Sequence, residues 1–290
     1  MSPVADSSHG DELETVGALL ESACRQLTAT SPSARLDAEL LLAHALQSPR
    51  SFVHTHAGET VAPAAAARIR ELVERRRRGE PVAYIVGRRE FWSLDLEVIP
   101  EVLIPRPETE LLVEFALEVV PLEAHARVLD LGTGSGALAL AIARERPSAR
   151  VTATDVSAPA LTLACRNAER LEIGNVTFLA GNWYDPVGAM HCDLIVSNPP
   201  YVAASDAALA SGDTSHEPRA ALSPGPTGLE AIERILARAR EHLRPGGWLA
   251  LEHGADQGTA VRALFSRHGF STIRTRQDLA GHERVTAGCN

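Results

Sequence analysis

From residue 127 onward, short and mostly apolar runs alternate with longer segments of helical periodicity. The runs cover residues 127–131, 151–154, 176–180, 193–197 and 248–252, and the helical segments cover 136–146, 158–171 and 228–243. Such runs are typical of strands buried in a parallel sheet. Because parallel strands need crossover connections, this order predicts an α/β domain with right-handed crossovers. A helix near 256–268 and strands near 271–275 and 283–287 complete it.

A glycine-rich turn joins the first of these strands to the first helix. The strand ends in Asp130-Leu131, and Gly132-Thr133-Gly134-Ser135-Gly136 follows. Glycine adopts positive φ and lets a ligand approach the backbone closely, so the turn predicts a small-molecule site. The G-x-G-x-G spacing differs from the G-x-G-x-x-G of dinucleotide binders. A second acid, Asp155, ends the next strand about 20 residues further on, where a ribose diol would be held.

The strand at 193–197 stops at Asn198-Pro199-Pro200-Tyr201. Two prolines cannot donate ladder hydrogen bonds, so they make a rigid loop at the carboxyl end of a strand, where open α/β sheets bind ligands. The Asn198 side-chain oxygen and the Pro199 carbonyl can each accept a hydrogen from a planar NH2 group, and the Tyr201 ring can stack on it. Taken alone, the tetrapeptide is equally a Pro-Pro turn with a capping Asn. Its combination with the glycine turn and Asp155 favours a functional site.

With these motifs, the chain resembles class I S-adenosylmethionine-dependent methyltransferases. Within that class it is similar to the protein-(glutamine-N5) methyltransferases that modify peptide chain release factors. The closer similarity is carried by Glu90-Phe91-Trp92, Leu103-Ile104-Pro105-Arg106-Pro107-Glu108-Thr109-Glu110, Gly181-Asn182-Trp183-Tyr184 and Glu217-Pro218-Arg219. The resemblance spans roughly residues 81–290. Adenine-N6 DNA methylases and guanine-N2 RNA methylases share Asn-Pro-Pro-Tyr, whereas the 103–110 stretch indicates the glutamine branch.

The resemblance implies a Rossmann-like sheet of seven strands, with the last strand antiparallel, and S-adenosylmethionine as the cofactor. The implied cofactor-binding residues are Asp130, Gly132, Thr133, Gly134, Ser135, Gly136, Asp155, Asn182, Trp183 and Asn198. Among these, Asp155 would hold the ribose hydroxyls, and Asn182 and Trp183 would contact the adenine. The family usually has an acid at the position of Asn182. For Trp183, packing in the core is the alternative.

The implied substrate is a glutamine in a Gly-Gly-Gln loop of a peptide chain release factor, a protein of translation termination. The implied substrate-binding residues are Asn198, Pro199, Pro200, Tyr201 and Phe91, and the catalytic ones are Asn198, Pro199 and Tyr201. Phe91 is either part of the methyl-transfer pocket or plain packing. No metal is expected, because the sulfonium of the cofactor is already activated.

Two other functions stay open at this stage. The first is a nucleic-acid amine methylase that uses the same loop on adenine-N6 or guanine-N2. A formal net charge of −9 disfavours it, because phosphate neutralisation supplies most of the affinity for nucleic acid. The chain also has no insert large enough for base flipping and target recognition. The second is a non-catalytic cofactor-binding scaffold. Such a protein would have no use for two acceptors, Asn198 and Pro199, that hold an NH2 group.

The residues before 81 predict a separate helical bundle over 12–80, after a disordered tail at 1–11. Apolar positions Val16, Leu19, Leu20 and Ala23 fit one helix face, and Leu36, Leu40, Leu41 and Ala45 fit another. The bundle has no cluster of polar residues, so we expect it to recognise the protein partner and to carry no chemistry. The run Arg75–Arg78 either ends a helix, where cations suit the dipole, or contacts an acidic partner or RNA.

Residues 81–104 predict a β-hairpin linker to a methyltransferase domain at 105–290. Its strands are expected at Tyr84–Val86, Phe91-Trp92 and 94–98, around a turn at Gly87. Residues 203–228 are rich in Ala, Ser, Gly and Pro, which predicts a long loop after Asn-Pro-Pro-Tyr that is suited to cover the substrate.

The cysteines and the N-terminus bear on the cellular compartment. Cys24, Cys165, Cys192 and Cys289 show neither C-x-x-C nor zinc-site spacing, which is typical of reduced thiols in a cytoplasmic protein. The first ten residues lack the apolar core of a signal peptide, and no apolar run is long enough to span a membrane. We therefore expect a cytoplasmic protein that does not contact membranes.

Overall fold

The computed structural model describes residues 14–290, so the disordered tail predicted at 1–11 lies outside the described residues. The chain divides into two compact units between Val86 and Gly87. Within residues 14–290, no helix combines the length and the apolar character needed to cross a bilayer.

The first unit is built from helices packed around its own apolar core. They are α1 (Val16–Leu27), α2 (Ala34–Ala45), α3 (Arg50–Thr55), α4 (Pro63–Arg77) and α5 (Val82–Val86). The Thr15 side chain caps α1 by accepting from the Ala18 N–H, and Pro63 occupies the first turn of α4. The predicted face of α1, Val16, Leu19, Leu20 and Ala23, is buried.

The predicted face of α2 is wrong at Leu36, whose side chain is 40% exposed. The helix instead turns Ala38, Leu41 and Leu42 inward, together with the buried acid Asp37. Asp37 accepts hydrogen bonds from Ser31, Ser33 and Arg76 at 2.7–2.9 Å. This polar cluster fixes the rotation of α2, and apolar periodicity alone did not reveal it.

The four arginines of the 75–78 run all pair with acids of the first unit. Arg75 pairs with Glu80, Arg76 with Asp37, and Arg77 and Arg78 with Glu74. Arg76 is buried, whereas Arg78 is exposed at the helix end. The pairing favours the helix-end interpretation of the run over a contact with an external partner.

The second unit begins with the hairpin β1 (Arg88–Phe91) and β2 (Leu94–Glu97). Trp92 and Ser93 form its two-residue turn at φ 51° and 57°, as a type I′ connection requires. The strand predicted at Tyr84–Val86 is wrong, because this stretch is helix α5. The N–H groups of Tyr84 and Ile85 donate to the Pro81 carbonyl and start a helical turn there. A short apolar run does not by itself distinguish strand from helix.

The main sheet has seven strands in the order β5-β4-β3-β6-β7-β9-β8. They are β3 (Arg127–Leu131), β4 (Arg150–Asp155), β5 (Val176–Ala180), β6 (Cys192–Ser197), β7 (Leu243–Glu252), β8 (Ser271–Gln277) and β9 (Glu283–Cys289). Strands β3 to β7 are parallel, and β9 runs antiparallel to both of its neighbours, which confirms the prediction for the last strand. The strand order reverses between β3 and β6, and ligands bind at such a reversal.

The helices of this unit are α6 (Glu110–Val119), α7 (Ala137–Glu145), α8 (Ala158–Arg170), α9 (Arg219–Leu222), α10 (Glu230–Ala239) and α11 (Gly258–Arg267). One core cluster joins α6 and α7 to sheet residues that include Val128 and Val196. Another joins α10 and α11 to residues that include Leu129 and Ile195. Alternate residues of β3 and β6 thus belong to different clusters, as expected for strands covered on both faces.

The 203–228 segment is more ordered than the predicted loop. It contains 3-10 helices at Ala207–Ala210 and Gly212–His216, followed by α9. Two backbone hydrogen bonds connect the start of the segment to its later part. The Val202 N–H donates to the Leu222 carbonyl, and the Ala204 N–H donates to the Gly225 carbonyl.

Candidate active site

A cavity of about 280 Å³ lies at the carboxyl ends of β3, β4 and β6. The predicted site residues in its wall are Asp130, Gly132, Thr133, Gly134, Ser135, Asp155, Asn182, Trp183, Asn198 and Pro200. They come from four separate stretches of the chain, and the reversal in strand order brings them together. Gly136, Pro199, Tyr201 and Phe91 do not line the cavity.

The glycine turn has a backbone that other residues do not adopt readily. Gly132, Gly134 and Gly136 have φ of +74°, +56° and +84°. A Cβ on Gly132 would lie 3.3 Å from Cζ3 of Trp183, and one on Gly136 would lie 3.1 Å from Cβ of Ala164. The turn is anchored to β4, because the N–H groups of Gly132 and Thr133 both donate to the Thr154 carbonyl. Glycine is therefore needed for the backbone itself and for the close approach of the Trp183 ring.

Two acids face the cavity without a basic partner. Asp130 accepts from the Thr133 hydroxyl at 2.6 Å, and Asp155 accepts from the N–H groups of Gly134 and Ser157 at 2.8 Å each. Burial, with a contribution from the charge of Asp155, raises the pKa of Asp130 to about 7. Burial also raises the pKa of Asp155. Among the described residues no Lys, Arg or His forms a salt bridge with either acid, so a cationic ligand suits this wall.

The same wall also contains apolar side chains. Trp183 is half-buried, and its backbone has φ 48°, an uncommon conformation for a bulky residue. Its carbonyl accepts a hydrogen bond from the Thr154 hydroxyl at 3.0 Å, which holds this conformation. Val156 lines the cavity with its side chain 80% exposed, whereas Asn182 contributes an exposed polar side chain. The cavity thus offers aromatic and aliphatic surface beside its acids.

The Asn-Pro-Pro-Tyr loop is held by residues from distant elements. The Asn198 Nδ2 donates to the Thr109 hydroxyl at 2.9 Å. Because the amide group is planar, its Oδ1 points away from Thr109. The Tyr201 hydroxyl donates to Oε1 of Glu252 at 3.1 Å, and its carbonyl accepts from Gln257 at 2.9 Å. Burial and the Glu252 carboxylate raise the pKa of Tyr201. Pro199 is buried.

Phe91 lies away from the cavity, in the apolar core. Its side chain is 2% exposed and belongs to a core cluster with Leu94 and Leu96. This burial supports the packing alternative for Phe91 over a position in the methyl-transfer pocket.

Other residues of the wall were not identified from the sequence as site residues. They include Glu101, Val102, Leu103, Pro105, Thr109, Val156, Pro218, Ala220 and Ala221. Several fall in the 103–110 and 217–219 stretches that marked the family resemblance. The two stretches are joined, because Glu217 accepts from the Ile104 N–H at 3.0 Å and pairs with Arg106. The stretches thus enclose one side of the cavity.

Comparisons with known proteins give a consistent result. A family model described as the PrmC N-terminal domain matches residues 18–87, and one described as the methyltransferase small domain matches residues 108–216. The chain is 52% identical over 260 residues to a release factor glutamine methyltransferase of Xylella fastidiosa, covering 90% of this chain and 94% of the relative. It is also 52% identical over 258 residues to the enzyme of that name from Pseudomonas aeruginosa, with 89% and 93% covered.

Among solved structures, a T. thermophilus 16S rRNA methyltransferase in complex with AdoMet and guanosine has a similar fold. Its TM-score is 0.53 at 19% sequence identity, over 70% of this chain and 49% of that one. At this identity the likeness bears on the fold alone.

Proposed function

The chain belongs to the release factor glutamine methyltransferase family, and we propose that its cavity binds S-adenosylmethionine beside a glutamine held by the Asn198 loop. The protein is a methyltransferase that modifies a glutamine of peptide chain release factors. The observation that carries the proposal for the site is the single cavity wall shared by the glycine turn, Asp155 and Asn198.

The residues of the cavity fit the proposed cofactor. When bound, S-adenosylmethionine supplies a methyl group on a sulfonium, together with an ammonium and a ribose diol. Asp130 and Asp155 are buried or half-buried acids without a basic partner among the described residues, so they favour a positively charged ligand. The glycine turn lets the ligand approach its backbone, and Trp183 and Val156 offer apolar surface to the adenine. Asp155, at the end of β4, would accept the ribose hydroxyls.

The Asn198 loop supplies acceptors for the glutamine. The Nδ2 of Asn198 donates a hydrogen bond to the Thr109 hydroxyl, so Oδ1 is the atom left to accept one N–H of the substrate amide. The Pro199 carbonyl would accept the second N–H. An amide nitrogen gains positive charge as it attacks, so two preorganised acceptors stabilise the transition state more than the ground state. Holding the nitrogen in line with the methyl group contributes several kcal/mol more.

Substitution of Asp155 tests the cofactor site. Asp155→Ala should weaken binding of S-adenosylmethionine about 10- to 100-fold, because hydrogen bonds to a charged acceptor each contribute about 1.5–3 kcal/mol. Isothermal titration calorimetry measures this affinity, and circular dichroism confirms that the variant is folded. Asp155→Asn is the matched control, since it keeps one acceptor oxygen and should lose less. An unchanged affinity in folded Asp155→Ala would contradict the ribose assignment.

The first unit is proposed to bind the release factor without taking part in chemistry. It has its own apolar core, and the cavity described above is lined only by residues of the second unit. A chain beginning at Gly87 should therefore still bind S-adenosylmethionine, while its kcat/KM for intact release factor falls at least about tenfold, or 1.4 kcal/mol. A short Gly-Gly-Gln peptide is the control substrate and should be methylated equally by both chains. Loss of cofactor binding by the folded shorter chain would refute this division of roles.

A further inference from the structure

A second cavity lies at the edge of the main sheet opposite to the candidate active site, at the amino ends of β3, β4 and β5. Its volume is about 610 Å³, which is typical of small-molecule sites. Its wall contains Arg127, Arg150 and His125, and no Asp or Glu among residues 14–290 lines it. The whole chain has a formal net charge of −9, so this cavity is a local reversal of charge.

The two arginines of this cavity are held side by side. Arg127 begins β3, Arg150 begins β4, and the two are direct partners in the parallel ladder. Neighbouring strands are about 4.8 Å apart, so like charges repel each other here. Both residues are exposed, and neither side chain forms a salt bridge within the described part of the chain. Asp193 accepts from the backbone N–H of Arg127 at 2.7 Å, but its charge pairs with Arg244.

Two threonine hydroxyls lie in the same wall. Thr152 and Thr177 are direct partners on β4 and β5. Val151 and Ala153 belong to the core cluster with α6 and α7. Because side chains alternate along a strand, Arg150 and Thr152 therefore share the opposite face. Thr152 is only 9% exposed, and neither threonine hydroxyl forms a hydrogen bond with protein within residues 14–290. Both hydroxyls can thus donate to a ligand in the cavity.

Asn175 fixes the rim of the cavity. Its Nδ2 donates to the carbonyls of Ala143, Arg146 and Ala149 at 3.0–3.2 Å. These hydrogen bonds connect the residue before β5 to the end of α7 and to the loop before β4, and Asn175 and Ala149 both line the cavity. The rim is therefore ordered without a ligand, and binding would order little more than the arginine side chains.

We propose that this cavity binds a small phosphorylated molecule through its phosphate group. Arg127 and Arg150 would pair with the phosphate oxygens, and the hydroxyls of Thr152 and Thr177 would donate to them. A phosphate group fills only a small part of the cavity, so a sugar or nucleoside fits beside it, next to the apolar side chain of Met190. A nucleic acid suits the surface less, because its many phosphates would be repelled by the net negative charge of the chain.

Calorimetry with uridine 5′-monophosphate tests the proposal, in phosphate-free buffer and with the cofactor cavity saturated by S-adenosylhomocysteine. We expect this nucleotide to bind at one site and more tightly than inorganic phosphate, whereas uridine should not bind. Arg127→Gln and Arg150→Gln should each weaken binding about tenfold, and the double variant about 100-fold. The reason is that each guanidinium supplies charge-assisted hydrogen bonds to the phosphate.

Arg267→Gln is the matched control. Arg267 is exposed on α11, forms no salt bridge among the described residues and lines neither of the two cavities. The substitution changes the net charge by the same amount and should leave the affinity unchanged. Thr152→Val keeps the shape of the side chain and should weaken binding severalfold by removing a hydroxyl donor. Without ligand, the Tm of Arg150→Gln should equal or exceed that of the wild type, because a repulsion between like charges is removed.

The proposal is overturned if the nucleotide does not bind, if it binds only without S-adenosylhomocysteine, or if uridine binds equally well. Equal weakening by Arg267→Gln would show a general attraction of charge and no defined site. Inorganic phosphate that binds as tightly as the nucleotide would show a site for a free anion only. An oligouridine RNA that binds much more tightly, with a steep dependence on salt, would show a nucleic-acid surface instead. These results do not depend on methyl transfer, so they stand apart from the proposed function.

Discussion

Replacement of Asn198 by alanine is expected to lower the rate of methyl transfer to release factor about 10²–10³-fold, as loss of one preorganised polar group does in other enzymes. The substitution removes Oδ1, one of the two proposed acceptors for the glutamine N–H groups. It also leaves the Thr109 hydroxyl without its donor. Single-turnover rates with labelled S-adenosylmethionine and purified release factor measure the effect on the chemical step.

Binding of the cofactor should fall much less in this variant. Asn198 lines the cavity, but the glycine turn, Asp155 and Trp183 supply other contacts to the proposed ligand. Calorimetry with S-adenosylmethionine should therefore show an affinity within about tenfold of wild type, or 1.4 kcal/mol. Near-normal turnover by Asn198→Ala, with glutamine confirmed as the group that is methylated, would exclude the mechanism in which Asn198 and Pro199 accept hydrogen bonds from the glutamine NH2 group.

Asn198→Asp separates the two functions of the side chain. It keeps an acceptor of the same size but removes the Nδ2 donor to Thr109. It also adds a negative charge to a region that already contains buried Glu252. If acceptor ability alone matters, this variant should retain measurable activity that Asn198→Ala lacks. Equal and complete loss in both would show that the hydrogen bond from Nδ2 to the Thr109 hydroxyl is needed as well.

The strands of the sheet were predicted closely because their signals are local. Four of them, β3, β4, β5 and β6, are short apolar runs that end at or near a glycine, a proline or an acid. Their predicted bounds lie within one residue of the observed ones. β7 was predicted too short. It begins at Leu243, before Pro245-Gly246-Gly247, and its pairing with β6 has a register shift between Cys192 and Leu194. A bulge of this kind depends on the neighbouring strand, which a single segment of sequence does not reveal.

The parts of the site that the sequence revealed are those that follow a strand directly. The glycine turn, Asp155 and Asn198 were identified by their position at strand ends. The hydrogen bond from Asn198 to Thr109 was missed because the two residues are 89 positions apart in the sequence. The hydrogen bond from the Tyr201 hydroxyl to Glu252 was missed although both residues follow or end a strand, because they are 51 positions apart in the sequence. Long-range hydrogen bonds thus set the limit of the sequence-based prediction.

Replacement of Glu217 by alanine is expected to release the 203–228 segment from the side of the cavity. Both Glu217 oxygens are used, one by the Ile104 N–H and the other by Arg106, whose side chain is 27% exposed. Removing this buried acid leaves both donors without their partner, at a cost of about 2–3 kcal/mol. If that cost falls on local opening, amide hydrogen exchange in 203–228 should accelerate about 30- to 150-fold.

The matched control is Glu217→Gln, which keeps an acceptor for Ile104 and removes only the charge that pairs with Arg106. Burial raises the pKa of Glu217, which shows that the cost of burying its charge exceeds the attraction to Arg106. Loss of the charge alone in Glu217→Gln should therefore accelerate exchange less than Glu217→Ala does. Exchange in β3 and β4 should be unchanged in both, because their amides are protected by the sheet. Unchanged exchange in 203–228 of Glu217→Ala would mean that the bonds from Val202 to Leu222 and from Ala204 to Gly225 hold the segment by themselves. Faster exchange with a lower kcat/KM for release factor would instead support a cover over the substrate whose closure depends on Glu217.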